Sequence, residues 1–479
     1  EKEREREREG AFTHCPWVMQ RGFAAPLTLL LVGTLCLASL VLLQSPSPAH
    51  AKLSLLRGGI VAGIVDDCSC KAEEVSLEND DHMHSLLERL VSTTFFRTFK
   101  VDLKTECSLW AQNYMCGLAG GCNVCECTED EIPLPWKTET TNRVDLSVVP
   151  AVRGWQDTNK NMWIEKKLAD SEMTYVNLRI NPEGNTGYTG AEARKVWAAI
   201  HENCPKGSLD DMCMEERVLM RLLSGFHMSI TTHVALNFHN VTLMDRNSQP
   251  IGHEWRPNLE MFDKVIKPHP DRIKNVYFTY LFLLRAIAKS KPFLESYSYN
   301  TGNAVEDKYT TQLIQELLQS ELLCKPTFND SQLISENANL MARNRVHNIF
   351  QNISSIMNCV GCEKCKVWSK LQVLGLSTAV KIIMSDEDVA NLDLQRNEII
   401  ALFNTLRQMS DSIEGIRRMT EMQRMELIST AVSVVLLLTS ILVPVLLFLK
   451  CKKRPHHSQD ANVSGAETTD RKGESKKNK

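Results

Sequence analysis

Residues Leu427 to Leu449 form a run of 23 residues without a charge, ended by Lys450-Cys451-Lys452-Lys453-Arg454. As a helix such a run spans roughly 35 Å, enough for the roughly 30 Å hydrocarbon layer of a bilayer, so it predicts a transmembrane anchor. Pro444 inside the run is tolerable in a membrane helix. The basic flank places residues 450–479 in the cytosol by the positive-inside rule and leaves residues 52–426 on the lumenal side. A second apolar stretch, Leu27 to Leu43, follows Arg21 and leads into the small-x-small site Ala49-His50-Ala51. As a helix it reaches only about 26 Å, too short to span, and it reads as a signal peptide cleaved after Ala51 rather than a second anchor. Because EKEREREREG lacks an initiator Met, residues 1–18 are expected to be a gene-model extension, with the signal peptide occupying 19–51.

A lumenal, oxidising compartment changes what cysteines mean. The chain has 479 residues and 16 cysteines, too few for a scaffold held up by disulfides and too clustered for scattered core thiols. A net charge of −3 and a pI near 6.5, with no basic stripe outside the termini, exclude nucleic acid as an expected partner. No repeat or low-complexity block interrupts residues 52–426, so one domain is expected. Apolar residues recur at helical spacing in Leu86-Leu87-Leu90, Val196-Trp197-Ile200, Val218-Leu219-Leu222-Leu223, Val276-Tyr277-Tyr280-Leu281-Leu284 and Ile349-Phe350-Ile353-Ile356-Met357. Period-two alternation is scarce, which predicts a mainly α fold. Stretches 131–154 and 248–272 read as loops from their Pro and Gly content. The segment after Ser385, with Leu392, Ile399, Leu402 and Leu406, reads as a final helical region leading to the anchor. Sequons at Asn240, Asn329 and Asn352 are compatible with a lumenal, glycosylated domain.

The sharpest local signal is Asn358-Cys359-Val360-Gly361-Cys362-Glu363-Lys364-Cys365-Lys366-Val367-Trp368, followed by Leu371 and Leu374. At the start of a helix, backbone N–H groups stabilise a thiolate, so a C-x-x-C there lowers the pKa of Cys362 and lets two sulfurs join and part reversibly. A static disulfide or half a zinc site is the bland alternative; zinc wants four ligands, and no metal is expected. A second cluster places Cys107, Cys116, Cys122, Cys125 and Cys127 within 21 residues, with Gly-rich sequence between Cys116 and Cys122. Two separated dithiols suggest a relay in which an outer pair exchanges with client protein and an inner pair with the outer one. Cysteines alone cannot pass two electrons to oxygen, so such a relay implies a flavin or another redox cofactor.

With FFRTFKVDLKTECSLW, NPEGNTGYTG, RLLSGFHMSI, IKNVYFTYLFLLRAIAK and CVGCEKCKVW in this order, residues 66–384 resemble the endoplasmic reticulum oxidoreductin family. The resemblance implies a single helical-bundle, flavin-binding lumenal domain with long loops. It implies an FAD-dependent thiol oxidase that recharges protein disulfide isomerase and reduces molecular oxygen to hydrogen peroxide. FAD contacts are then expected at Thr186, Trp197, Ser224, His227, Arg272 and Arg285. Ser224 and His227 are three residues apart and share a helix face. Arg285 interrupts an apolar run where a charge needs an anionic partner. No Gly-x-Gly-x-x-Gly follows a strand, so a Rossmann site is not supported. The resemblance further implies Cys362–Cys365 as the inner pair, with Cys365 meeting the flavin ring, and Cys116–Cys122 as the outer shuttle. Cys107–Cys359 and Cys204–Cys213 would be structural disulfides. The end Lys476-Lys477-Asn478-Lys479 resembles the dilysine retrieval signal of type I endoplasmic reticulum membrane proteins.

Several features depart from that family pattern. Cys116 and Cys122 enclose five residues where well-known relatives have four, Cys125 is extra, and no cysteine lies between Cys127 and Cys204. Cys125 and Cys127 are therefore candidate regulatory cysteines, and Cys122–Cys125 or Cys116–Cys125 are alternative shuttle pairs. Gly184 stands where animal relatives have a flavin-contacting Arg, and Cys68, Cys70 and Cys324 have no assigned partner. The rival from another class is a non-catalytic, disulfide-stabilised ectodomain acting as scaffold or receptor.

Overall fold

The computed structural model describes residues 63–107, 123–137, 173–182, 209, 211–237, 239–256, 259–319, 352–383 and 394–452. The chain divides at Gly58/Gly59 into two units; the first lies outside the described residues, and every described element belongs to the second. That second unit is mainly helical. Its long elements are α1 (Ala72–Glu78), α2 (His84–Val91), α3 (Met214–Asn237), α4 (Pro270–Lys289), α5 (Ala304–Gln319), α6 (Glu363–Ile383) and α7 (Arg396–Lys452). Helices α3, α4, α6 and the first half of α7 pack on one another to form the core.

Two glycines explain how closely these helices approach. A Cβ on Gly225 of α3 would collide with Thr279 Oγ1 and the Asn275 carbonyl oxygen of α4. A Cβ on Gly375 of α6 would collide with Thr405 Oγ1 of α7 and come within 2.5 Å of the Ala401 carbonyl oxygen. Both backbones are already in contact, so nothing larger than hydrogen fits. Around these contacts the apolar residues at helical spacing are buried: Val218, Leu219, Leu222 and Leu223 on α3, Val276, Tyr277, Tyr280 and Leu281 on α4, and Leu86, Leu87 and Leu90 on α2. Ile353, Ile356 and Met357 are buried on the helical turn at 352–357. Val196, Trp197 and Ile200 lie outside the described residues.

Helix α7 is unbroken across 57 residues, Pro444 included. Its first part is amphipathic and buries Ile399, Leu402, Phe403, Leu406, Met409, Ile413, Ile416 and Met419. From Leu427 onward its large apolar side chains are exposed, Ile428 alone being half-buried among them, and this part is long and apolar enough to cross a membrane. The expected final helix and the expected anchor are one element.

Two small antiparallel ladders accompany the helices. β1 (Thr98–Asp102) pairs with β2 (Met173–Asn177), Phe99 opposite Val176; β3 (His239–Met244) pairs with β4 (Pro250–Arg256), Asn240 opposite Trp255. β1 alternates polar Thr98, Lys100 and Asp102 with apolar Phe99 and Val101, but over only five positions, and all five are buried. Asn397 of α7 bonds both backbone groups of Lys100, accepting from its N–H and donating to its carbonyl oxygen at 2.6 Å. Stretch 248–272, expected to be a loop, holds β4, the short helical segments Leu259–Met261 and Phe262–Ile266, and the start of α4. Its punctuation has structural roles: Asp245 Oδ1 accepts N–H bonds from Asn247 and Gln249 to turn the hairpin, and a proline opens α4, where a missing N–H costs nothing. In stretch 131–154, the described part contains a helical turn at Leu134–Lys137.

Gly225→Ala and Gly375→Ala should each lower unfolding stability by about 1–3 kcal/mol, read from urea midpoints. Gly252→Ala, where an added Cβ meets nothing within 4 Å, should leave the midpoint unchanged.

Candidate functional site: a buried dithiol at a helix N-terminus

Cys362 stands immediately before the first residue of α6 and acts as its N-cap. The Cys365 backbone N–H donates to Cys362 Sγ at 3.3 Å, where a capping oxygen would usually sit, and the Cys362 carbonyl oxygen accepts the Lys366 N–H at 2.8 Å. Both sulfurs are thiols and both residues are buried, Cys362 2% and Cys365 0% exposed. The Cys362 thiol is held below its ordinary range, chiefly by a hydrogen bond with the Cys365 side chain and also by the N–H groups of Cys365 and Lys364, against burial, which pushes it up. A sulfur in this position is kept from bulk water and faces helix N–H donors, the setting that favours a thiolate.

The turn before the helix is fixed covalently. A disulfide joins Cys107 to Cys359 across 252 residues, with Cα atoms 4.4 Å apart, and Cys359 N–H and Val360 N–H donate to Ile356 and Met357 carbonyl oxygens. The bridge ties the chain just ahead of residues 108–122 to the turn that presents Cys362.

Residues 124–127 lie against the same helix terminus. Glu363, inside the C-x-x-C, accepts the Val124 N–H at 2.9 Å. The Asn181 side chain accepts the Cys125 N–H and donates to the Cys125 carbonyl oxygen, both at 2.8 Å, and the Asn181 carbonyl oxygen accepts the Trp368 indole N–H at 2.7 Å. The Cys125 side chain is exposed, whereas burial, reinforced by Glu131, pushes the Cys127 thiol up to about 11.

Of the residues expected to contact a flavin, Ser224 and His227 are buried on α3. Asn275 of α4 donates to Ser224 Oγ at 3.0 Å, which leaves the hydroxyl hydrogen available for a further acceptor. Asn275 in turn accepts from Arg221 at 3.2 Å, and Arg221 is gripped by Asp66 and Asp67. Burial pushes the Asp67 carboxyl up, but hydrogen bonds from Arg217 and Arg221 hold it below its ordinary value of 3.8. Arg272 in the first turn of α4 and Arg285 in its last turns are partly exposed. Thr186, Trp197, Cys116, Cys122 and Cys204 lie outside the described residues. Cys213, expected to bridge Cys204, lies just ahead of α3 with its side chain exposed, and its expected partner is outside the described residues. Cys70 is disulfide-bonded, and burial pushes the neighbouring Cys68 thiol up to about 12.

Sequence reasoning did not single out Glu363, Asn181, Asn275 or Gln372. Gln372 is fully buried, and neither its amide oxygen nor its amide nitrogen has a partner among the described residues. Seven residues beyond Cys365 on α6, it shares that residue's helix face. A buried amide in that state wants a ligand that offers both a donor and an acceptor.

Cys107→Ala with Cys359→Ala should lower stability by up to about 5 kcal/mol in denaturant, the loop-entropy limit for a bridge of this span. Asp67→Asn should be less stable than the parent at pH 7. Because the folded-state pKa is depressed, that gap should narrow as pH falls below 3.8 and through the lower folded value, in thermal unfolding run against pH.

Residues 82–416 match the family model described as Endoplasmic Reticulum Oxidoreductin 1 (ERO1). The chain is 41% identical over 394 residues to endoplasmic reticulum oxidoreductin-1 of Arabidopsis thaliana, covering 77% of this chain and 82% of that one. It is 31% identical over 425 residues to ERO1-like protein alpha of Homo sapiens, covering 74% and 90%. A solved double-cysteine mutant of S. cerevisiae Ero1p superposes with a TM-score of 0.51 at 25% identity, over 75% of this chain and 99% of that one. The helical core, the buried dithiol at the head of α6 and these matches together make the chain a member of the ERO1 family of endoplasmic reticulum oxidoreductins.

Proposed function

We propose that this oxidoreductase is a membrane-anchored, FAD-dependent thiol oxidase that recharges protein disulfide isomerase-like, thioredoxin-fold proteins in the endoplasmic reticulum lumen. One observation carries the reading: the Cys362–Cys365 dithiol is buried at the head of a helix, with the Cys365 N–H directed at Cys362 Sγ and the Cys362 thiol held below its ordinary range. A dithiol out of reach of a folded client needs an intermediary dithiol on the client side and an acceptor on the other. Cys116–Cys122 supplies the intermediary in this reading. The isomerase dithiol reduces Cys116–Cys122 and leaves as a disulfide, and the resulting dithiol then reduces Cys362–Cys365.

Ser224 and His227 on α3, Arg272 and Arg285 on α4, together with Thr186 and Trp197, would hold FAD. The residues present suit that group. Ser224 has a hydroxyl hydrogen to give, the two arginines can pair with pyrophosphate, and the Gln372 amide is answered by a ring edge bearing both N–H and C=O. FAD, when bound, supplies a two-electron acceptor for the Cys362–Cys365 dithiol and a route to oxygen, which leaves as hydrogen peroxide. Helix α7 would cross the bilayer between Leu427 and Leu449, with residues 450–479 cytosolic and the oxidoreductase domain lumenal.

The purified, detergent-solubilised chain should be yellow, with a flavin absorbance band near ~450 nm, and should consume oxygen when given reduced isomerase. Cys365→Ala should retain the band and lose the oxygen uptake. A folded, colourless protein would defeat the oxidase reading in favour of a scaffold, and full turnover by the Cys365 variant would remove the inner pair from the relay.

A further inference from the structure

We infer that Glu363, the first residue inside the C-x-x-C, is a positioning residue that docks segment 124–127, which carries Cys125 and Cys127, at the head of the inner pair's helix, with Asn181 and Trp368 as a second clamp. This role rests on the proposed relay between the two dithiols.

Acidic residues are common in the first turn of a helix simply because they complement its dipole. Glu363 does more than that, because its carboxylate accepts the N–H of Val124, 239 residues earlier in the chain, at 2.9 Å. Five positions further along α6, the Trp368 indole holds the Asn181 carbonyl oxygen at 2.7 Å. The Asn181 amide then pairs with both backbone groups of Cys125, as a neighbouring strand would. Asn181 is 0% exposed and also donates to the Asn177 carbonyl oxygen at 2.9 Å, so the amide is locked in that orientation. On the other side, Cys127 N–H donates to the Tyr175 carbonyl oxygen at 2.9 Å, and Glu126 bridges Val176. Segment 124–127 is thus clamped between β2 and α6, with its backbone one glutamate side chain from the residue that follows Cys362.

The chemistry gives this placement a purpose. A carboxylate beside Cys362 does nothing to favour a thiolate there, so thiol activation is not what calls for a glutamate at this position. Exchange between the two pairs, in contrast, requires a thiolate of one to attack a sulfur of the other's disulfide along the line of the bond being broken. With the inner pair oxidised, a cluster thiolate attacks the Cys362–Cys365 disulfide to form a mixed disulfide, and a second cluster thiol displaces it. Two electrons and two protons pass to Cys362 and Cys365, the cluster becomes a disulfide, and nothing else is consumed. Docking the base of the cluster raises the frequency of that encounter and leaves the thiol chemistry itself untouched.

The test uses the full chain in detergent with reduced isomerase as substrate. Glu363→Ala should lower the kcat for oxygen uptake about tenfold, the size expected for losing one charge-assisted hydrogen bond, with KM for the isomerase unchanged. Glu363→Gln keeps a carbonyl oxygen for the Val124 N–H and should recover most of the rate. An effect through the charge beside Cys362 would instead appear equally in both variants. Hydrogen exchange at Val124 and Cys125 should quicken in Glu363→Ala, and in Asn181→Ala if that variant folds. Turnover of Glu363→Ala within about twofold of the parent, equal slowing in Glu363→Gln, or unchanged exchange at Val124 would each overturn the docking role. A parent chain that takes up no oxygen defeats the relay reading instead, and the exchange measurement still decides whether Glu363 holds the segment.

Discussion

A sulfur can be buried and reactive at once only if hydrogen bonds replace the water it has lost. The bond from the Cys365 N–H to Cys362 Sγ meets that constraint, and much of the site depends on it. It makes Cys362 the N-cap of α6, points the helix N-terminus at the pair, and sets Cys365 one turn inside the core, where no solvent reaches it. For the cap to form, the turn ahead of it must arrive at one position, and the Cys107–Cys359 bridge and the backbone bonds of residues 356–360 hold it there.

The four packed helices give that position its rigidity. Gly225 and Gly375 let α3 meet α4, and α6 meet α7, at backbone contact, so a shift of one helix is felt by the next. The charged network from Asp67 through Arg221 and Asn275 to Ser224 uses the same contact, carrying orientation from the start of the domain to a hydroxyl at the α3–α4 seam. Buried charges in this arrangement are paired or hydrogen-bonded, which is the condition for their being there at all.

Helix α7 links the core to the apolar segment without a joint. Met419 is buried and Leu427 is exposed, eight residues on, about 12 Å along a continuous helix. Under the membrane reading this leaves the domain no flexible tether: the helix that packs against the C-x-x-C helix is the helix that enters the bilayer.

The sequence by itself determined the helical class, the apolar run and the C-x-x-C at a helix start, because each is written in residues close together: a 3.6-residue period, 23 uncharged residues and a four-residue motif. It did not reveal β1, whose alternation runs for only five residues, nor β4, whose proline and glycine read as loop. The family's residues pointed to Ser224 and His227, but not to Asn275, Asn181 or Gln372, whose roles exist only through partners on other elements or through the lack of one. Glu363 sat in plain view inside the motif. Its carboxylate meets Val124 because tertiary packing brings together groups 239 residues apart, and no local pattern encodes that distance.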